Sequence, residues 1–150
     1  MGRRCHAGGG IAVSPHFPFP YGEIAADIVL DKLDAIEIFG FAAAPDGPRI
    51  RDWYRFLNCG YQVPAVGGTD KMSAGTPLGA VRTYARLASD APFGFDAWAD
   101  AVRSGRTFVT SGPLLELSVE GEGPGGQLRL PPAGGTVTVQ ASVSSTGPVR

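Results

Sequence analysis

Three side chains that can bind a divalent metal lie on or at the ends of three successive apolar segments. His16 directly follows the first segment, Glu37 lies inside the second, and Asp70 ends the third after two glycines. An imidazole combined with carboxylates suits zinc, manganese or iron. Glycines before Asp70 let the backbone approach an ion or a phosphate closely. If the three segments meet at one edge of a sheet, the pattern predicts a metal site there.

Each of these residues also has an ordinary structural interpretation. His16 stands between prolines and can be a loop residue, and Asp70 can cap a helix or close a turn. Glu37 needs a partner in any folded structure, because burying an unpaired carboxylate is costly. Arg82 or Lys71 could supply the positive charge. The residue types alone leave these alternatives open.

The first seventy or so residues alternate short apolar segments with amphipathic ones. Strands with little internal alternation are typical of a parallel sheet that is buried on both faces. Ligands in such folds bind at the carboxyl ends of the strands, which is where we expect the chemistry. The predicted strands are Ile11–Ser14, Asp34–Phe39 and Val63–Val66, and the predicted helices are Glu23–Leu33 and Arg49–Cys59.

The pattern continues with a predicted strand within Gly79–Arg86, a helix over Phe95–Arg103 and a strand over Thr107–Thr110. His6 precedes a glycine run and is expected to end a helix. Trp53, Tyr54 and Trp98 lie at helical spacing, which predicts that they belong to the core.

Beyond Gly112–Leu115 the sequence pattern changes. Apolar residues alternate with polar ones, and Gly/Pro turns separate the alternating segments. This pattern is typical of antiparallel strands. We therefore predict two domains, residues 1–113 and residues 114–150. Val149-Arg150 resembles the start of a further strand, and we expect the chain to be a piece of a longer protein. The predicted antiparallel strands are Leu115–Glu120, Gln127–Leu130 and Thr136–Ser145.

Composition excludes several classes of protein. Thirteen Lys and Arg residues against fourteen Asp and Glu give a net charge of −1, without the basic footprint of a general nucleic-acid binder. No apolar run reaches the roughly 18 residues of a membrane-spanning helix. Cys5 and Cys59 do not have the spacing of a structural zinc site, and two unpaired thiols are expected.

Four segments resemble, in the same order, the PHP superfamily of metal-dependent phosphoesterases. The similarity spans about Gly8 to Ala141 and is greatest to the CehA/McbA-like branch, named for a carbaryl (carbamate ester) hydrolase. The resemblance implies part of a distorted β/α barrel, followed by the start of an antiparallel β-sandwich. It also implies a divalent metal whose bound hydroxide attacks a small phosphate, carbamate or amide-type ester. The segments are Gly9–His16, Leu33–Phe39, Gly67–Asp70 and Gly105–Pro113.

The resemblance assigns candidate roles to individual residues. His16 would match the histidine of the family's His-Pro type motif, and Asp70 the aspartate of its late Asp-x-His motif, both as metal ligands. Two further residues are catalytic candidates on their chemistry alone. Lys71 could bind an anionic group of the substrate or be a solvated surface charge, and Glu37, which matches no metal ligand of the family, would orient a neighbour or bind metal. The candidates for substrate binding are Arg82 and Arg106.

Two departures from the family pattern favour an alternative function. The opening His-x-Asp-x-His motif is missing, since His6 and His16 are the only histidines, so the chain corresponds to the second half of a catalytic domain. Met72 stands where the late motif has histidine, and a thioether is a poor ligand for such ions. The alternative is a non-catalytic relative that serves as a binding or interaction module.

Overall fold

The chain folds as a mixed α/β protein, with a parallel sheet in its first half and antiparallel strand pairs in its second. A computed structural model describes residues 2–19, 22–40 and 47–147. The helices are α1 (Gly2–Ala7), α2 (Ile24–Val29), α3 (Gly47–Asn58) and α4 (Phe95–Arg103). The strands are β1 (Val13–Ser14), β2 (Ala35–Phe39), β3 (Ala65–Gly67), β4 (Arg82–Ala85), β5 (Thr107–Thr110), β6 (Leu114–Val119) and β7 (Val139–Ser144).

The parallel sheet has the strand order β1-β2-β3. Val13 pairs with Ala35, and Ile36 pairs with Ala65 in the next ladder. The β2–β3 register shifts between Glu37 and Phe39. The predicted parallel sheet is therefore confirmed, although β1 and β3 are shorter than the apolar segments suggest. All three strands end at the same edge, which brings the residues that follow them together.

Helices cover both faces of this sheet because both faces are apolar. Ile36 is fully buried in a cluster on the side of α2 and α3, and Ala35, one residue earlier, is fully buried against α4. The first cluster consists of Phe17, Ile28, Ile36 and Val63, with Trp53 and Phe56 packed against it. The second consists of Ala35, Val66 and Val102.

The antiparallel pair β4–β5 docks on β3 through threonine side chains. Thr107 Oγ1 donates to the carbonyl of Ala65 at 2.9 Å, and Thr83 Oγ1 donates to the carbonyl of Gly67 at 2.7 Å. Thr107 thus lies beside the start of β3, and Val109 lies beside its end at Gly67. β5 therefore runs in the same direction as β3. The described strands form open sheets and no closed barrel.

Strands β6 and β7 form a separate antiparallel pair that is half exposed on both faces. Leu115 lies opposite Val143, and these side chains are 47% and 56% exposed. The predicted strand Gln127–Leu130 is wrong: the residues alternate as a strand should but have no ladder partner in the described chain. β6 begins at the predicted boundary, while Val149-Arg150 lies outside the described residues, and the division into two domains stays a prediction.

The aromatic residues are less buried than helical spacing predicts. Trp53 packs against the core and donates its Nε1–H to the carbonyl of Val63 at 2.9 Å. Tyr54 stacks on Trp53 from the solvent side and is 51% exposed, and Trp98 is 37% exposed. The prediction that all three are core residues is wrong for Tyr54 and Trp98, because neighbouring positions on a helix face different directions.

Other predictions concern the termini of elements and the thiols. His6 lies in the last turn of α1, so the predicted helix end is confirmed. Cys5 and Cys59 are free thiols. None of the helices within the described ranges is long and apolar enough to cross a bilayer.

Candidate functional site

The side chains of His16 and Asp70 face each other at the carboxyl edge of the parallel sheet. His16 Nε2 lies 3.8 Å from Asp70 Oδ2. The His16 side chain is 44% exposed and that of Asp70 is 27% exposed, so the pair is reachable from solvent. The expected proximity of these residues is therefore present, because β1 and β3 run parallel on either side of β2 and end together.

Both residues have a backbone conformation that non-glycine residues adopt infrequently. The φ angles are +56° at His16 and +47° at Asp70. In the described chain only two further non-glycine residues, Asp31 and Glu120, have positive φ. Such conformations persist where the surrounding structure enforces them, and they are concentrated at functional sites.

Glu37 supports His16 from the neighbouring strand. Its Oε2 accepts the backbone N–H of His16 at 2.8 Å and lies 3.5 Å from His16 Nδ1. The Glu37 carbonyl accepts the N–H of Phe17 at 3.1 Å, so the chain after β1 is attached to β2 at two successive residues. Glu37 is paired with His16, and Lys71 and Arg82, the basic partners considered above, bind elsewhere. Carboxylates therefore flank the imidazole on both sides, Glu37 near Nδ1 and Asp70 near Nε2.

Two glycines make room for the Glu37 carboxylate. A Cβ at Gly40 would lie 3.3 Å from both Cδ and Oε1 of Glu37. A Cβ at Gly68 would lie 3.5 Å from Oε1. The carboxylate, only 12% exposed, therefore fits into a space bounded by the backbone after β2 and by the backbone after β3.

Lys71 is next to Asp70 in sequence, but its ammonium group binds a neighbouring loop. Nζ donates to the carbonyl of Ser73 at 2.8 Å and to that of Thr76. Two of its three donors are thereby used to close the loop over residues 73–76. Met72, which follows Lys71, is 77% exposed.

The two candidate substrate-binding arginines lie at opposite ends of the β4–β5 pair. Arg82 donates to the carbonyls of Gly79 and Gly112, each at 2.8 Å, and it lies beside Val81, which contacts Thr69 near the site. Arg106 precedes β5, next to the start of β3, and donates to the Arg86 carbonyl at 3.1 Å. Arg106 is thus not brought together with Asp70.

A cavity of about 820 Å³ lies away from this edge, between α3 and β5. Its walls are mainly apolar and include Trp53, Val63 and Phe108. None of His16, Glu37 or Asp70 contributes to its lining. The candidate site is therefore the cluster of His16, Glu37 and Asp70, because these side chains can bind a metal and the apolar walls of the cavity cannot.

The number of converging ligands limits what this site can hold. No group of three or more His, Cys, Asp or Glu side chains with metal-site geometry occurs among residues 2–19, 22–40 and 47–147. His16 and Asp70 present one nitrogen and one oxygen to the same space, whereas Glu37 contacts the other side of the imidazole. A histidine nitrogen and a carboxylate oxygen are both suitable ligands for a divalent cation. Catalytic zinc sites commonly use three protein ligands, so two are fewer than such a site uses.

A second polar cluster, at the opposite edge of the sheet, was not predicted. Asp34 accepts the N–H of Ala12 at 2.6 Å and pairs with His6 Nε2 at 2.8 Å and Arg103 Nε at 3.2 Å. Burial raises the pKa of Asp34, but the Ala12 N–H, His6 and Arg103 outweigh it and hold the pKa below its usual value. The cluster joins α1, β2 and α4 and is structural in character.

No family model, curated protein sequence or solved structure matches this chain.

Proposed function

We propose that the chain carries part of the active site of a metal-dependent hydrolase, with His16 and Asp70 as metal ligands. The observation that carries this proposal is the 3.8 Å separation of His16 Nε2 and Asp70 Oδ2. That distance is too long for a direct hydrogen bond. Two ligand atoms at about 2.1 Å from a tetrahedral ion lie roughly 3.4 Å apart, so a small side-chain rotation suffices.

The residues around the pair support a ligand role for His16. Glu37 holds the His16 backbone in its left-handed conformation and lies near Nδ1. A carboxylate behind a histidine is a common arrangement in metal sites, because it fixes the ring and raises its basicity. A divalent cation at Nε2 and Oδ2 would lower the pKa of a bound water and polarise an ester.

The resemblance to the PHP superfamily gives this site a reaction class and a fold. We infer a small phosphate, carbamate or amide-type ester as the substrate, and a β/α barrel of which this chain forms one part. His16 and Asp70 are too few to hold a catalytic ion by themselves, so at least one further ligand would come from outside the described residues. Arg82, at the site end of the β4–β5 pair, is the better placed of the two arginines to approach an anionic substrate.

Two observations favour the second candidate, a metal-free binding module. The Lys71 ammonium is occupied by loop carbonyls, and Met72 projects into solvent beside the site. Neither residue then replaces the ligand that the family motif provides.

The proposal is tested by assaying hydrolysis of an aryl phosphate and an aryl carbamate in Mn²⁺ or Zn²⁺. The chain is assayed alone and within the longest reading frame that contains it. We expect metal-dependent hydrolysis in the longer protein, lost in Asp70→Asn. Asp52→Asn is the control, because Asp52 pairs with Arg55 on the surface of α3. Folded protein without metal-dependent hydrolysis in either form would contradict the proposal and favour the binding module.

A further inference from the structure

The segment that leads from β3 to Asp70 is attached to its neighbours at every residue. Gly67 donates its N–H to Thr83 Oγ1 at 2.8 Å and accepts from the same hydroxyl at 2.7 Å. The N–H of Gly68 donates to the carbonyl of Phe39 at 3.0 Å. The end of β3 is therefore fixed between β2 on one side and β4 on the other.

Thr69, the residue directly before Asp70, makes the last of these attachments with its side chain. Its Oγ1 donates to the carbonyl of Val81 at 2.9 Å and accepts the N–H of Val81 at 3.4 Å. Val81 is only 2% exposed, so its backbone groups need a partner within the protein. The threonine hydroxyl thus takes the place of a paired strand residue at the point where the β3 ladder has ended.

Asp70 depends on its backbone for its geometry, because within the part of the chain that the structure describes its side chain pairs with His16 alone. Its φ of +47° is unfavourable for a residue with a side chain. Its ion pair with His16 is long and partly exposed, and such pairs restrain side chains weakly.

We propose that the hydroxyl of Thr69 is a positioning group that holds Asp70 opposite His16 in the geometry for binding a cation. This proposal rests on the proposed metal site. Thr69 precedes the ligand Asp70 in the sequence, but that position alone does not indicate a positioning role. Thr69 touches neither the ion nor a substrate and acts through Asp70.

The test compares three variants of the longer protein, expressed from the longest reading frame that contains this chain. Thr69→Val keeps the side-chain shape and removes the hydroxyl, while Thr69→Ser keeps the hydroxyl. Thr107→Val is the matched control, because Thr107 Oγ1 makes the same hydroxyl-to-carbonyl bond, 2.9 Å to Ala65, at the other end of β3. Co²⁺ alone is titrated and followed by its visible absorption, and the metal-free variants are crystallised to measure the distance from His16 Nε2 to Asp70 Oδ2.

We expect Thr69→Val to weaken Co²⁺ binding about 10- to 100-fold and to move Asp70 away from His16. Thr69→Ser restores both properties, whereas Thr107→Val lowers the melting temperature without changing either. Co²⁺ affinity and Asp70 geometry that stay unchanged in Thr69→Val would overturn the proposal. If the unmodified protein binds no Co²⁺, the metal site is wrong, and the crystallographic distance alone decides whether Thr69 positions Asp70.

Discussion

Glu37 Oε2 accepts the backbone N–H of His16 at 2.8 Å and lies 3.5 Å from Nδ1 of the same residue. One carboxylate oxygen therefore restrains both the main chain and the ring of His16. This relationship joins the second residue after β1 to the middle of β2, across 21 positions of sequence.

Two substitutions of Glu37 separate these effects. Glu37→Gln can still accept the His16 N–H but loses the negative charge near Nδ1, so we expect metal affinity to fall about tenfold with the fold retained. Glu37→Ala leaves the N–H without its partner and should lower the free energy of unfolding by about 1–3 kcal/mol. Isothermal titration of the longest reading frame that contains the chain measures the metal affinity, and chemical denaturation measures the free energy of unfolding.

Glu116→Gln is the control, because Glu116 is exposed and makes only long contacts, 3.5 Å to Arg86 and 3.4 Å to the Ser142 hydroxyl. A Glu37→Gln variant that binds metal as tightly as the unmodified protein would show that the charge near Nδ1 is irrelevant.

The Asp34 cluster predicts a specific dependence of stability on pH. The pKa of Asp34 is held below its ordinary value in the folded protein by the Ala12 N–H, His6 and Arg103, which outweigh burial. A carboxyl with a lowered folded-state pKa stabilises the protein above its unfolded-state pKa, and that stability is lost as pH falls through the folded-state pKa. We expect the melting temperature to decrease on acidification below about pH 4, and less steeply in Asp34→Asn.

Asp52→Asn, which removes a partly exposed carboxylate on α3, should leave the acid-side slope unchanged. Equal slopes for the unmodified protein and Asp34→Asn would contradict the role assigned to this cluster.

Gly67 is predicted to be intolerant of any side chain. A Cβ there would collide with Val109 Cγ1 and lie 2.8 Å from the Phe39 carbonyl oxygen. We expect Gly67→Ala to lower the free energy of unfolding by about 1–3 kcal/mol through overpacking. Gly135→Ala is the matched control, because no atom lies within 4 Å of the added Cβ. If urea denaturation gives both variants the same stability, the close packing of β3 against β5 is wrong.

The exposed β6–β7 pair is predicted to limit solubility. Leu115 and Val143 lie opposite each other and are about half exposed, and a two-stranded sheet with apolar residues in solvent tends to associate. The double variant Leu115→Lys with Val143→Glu should raise the concentration at which light scattering detects association. Its unfolding free energy should change by less than about 1 kcal/mol.

Leu78→Lys is the control that tests whether association depends on the β6–β7 pair, because Leu78 is 81% exposed and lies outside any strand. Association that responds equally to both changes would argue against the strand pair as the source.

The elements whose predicted first and last residues match the structure are those with strong local signals in the sequence. Helix α4 spans Phe95–Arg103 and β5 spans Thr107–Thr110, as predicted, because Gly105 between them has a φ of +66° and ends the helix. The false strand Gln127–Leu130 had the right alternation but acquired no partner. Pairing is a long-range property that alternation alone does not specify.

The same distinction applies to the site. The strand-end positions of His16 and Asp70 were predictable, because parallel strands end at a common edge. The bond from the His16 N–H to Glu37 and the support of Asp70 by Thr69 were not predictable. Both bonds join a side chain to the main chain of another element, across 21 and 12 positions, and residue type carries no signal for them.

The most direct test of the proposed metal site compares the two histidines of the chain. Co²⁺ binding is measured by visible absorption in the longest reading frame that contains the chain, for the unmodified protein, for His16→Ala and for His6→Ala, where His6 pairs with Asp34 at the opposite edge of the sheet. We predict a bound-cobalt spectrum that is lost in His16→Ala and retained in His6→Ala. A spectrum that survives in His16→Ala, or that disappears equally in both variants with the fold intact, would contradict a metal site at His16 and Asp70.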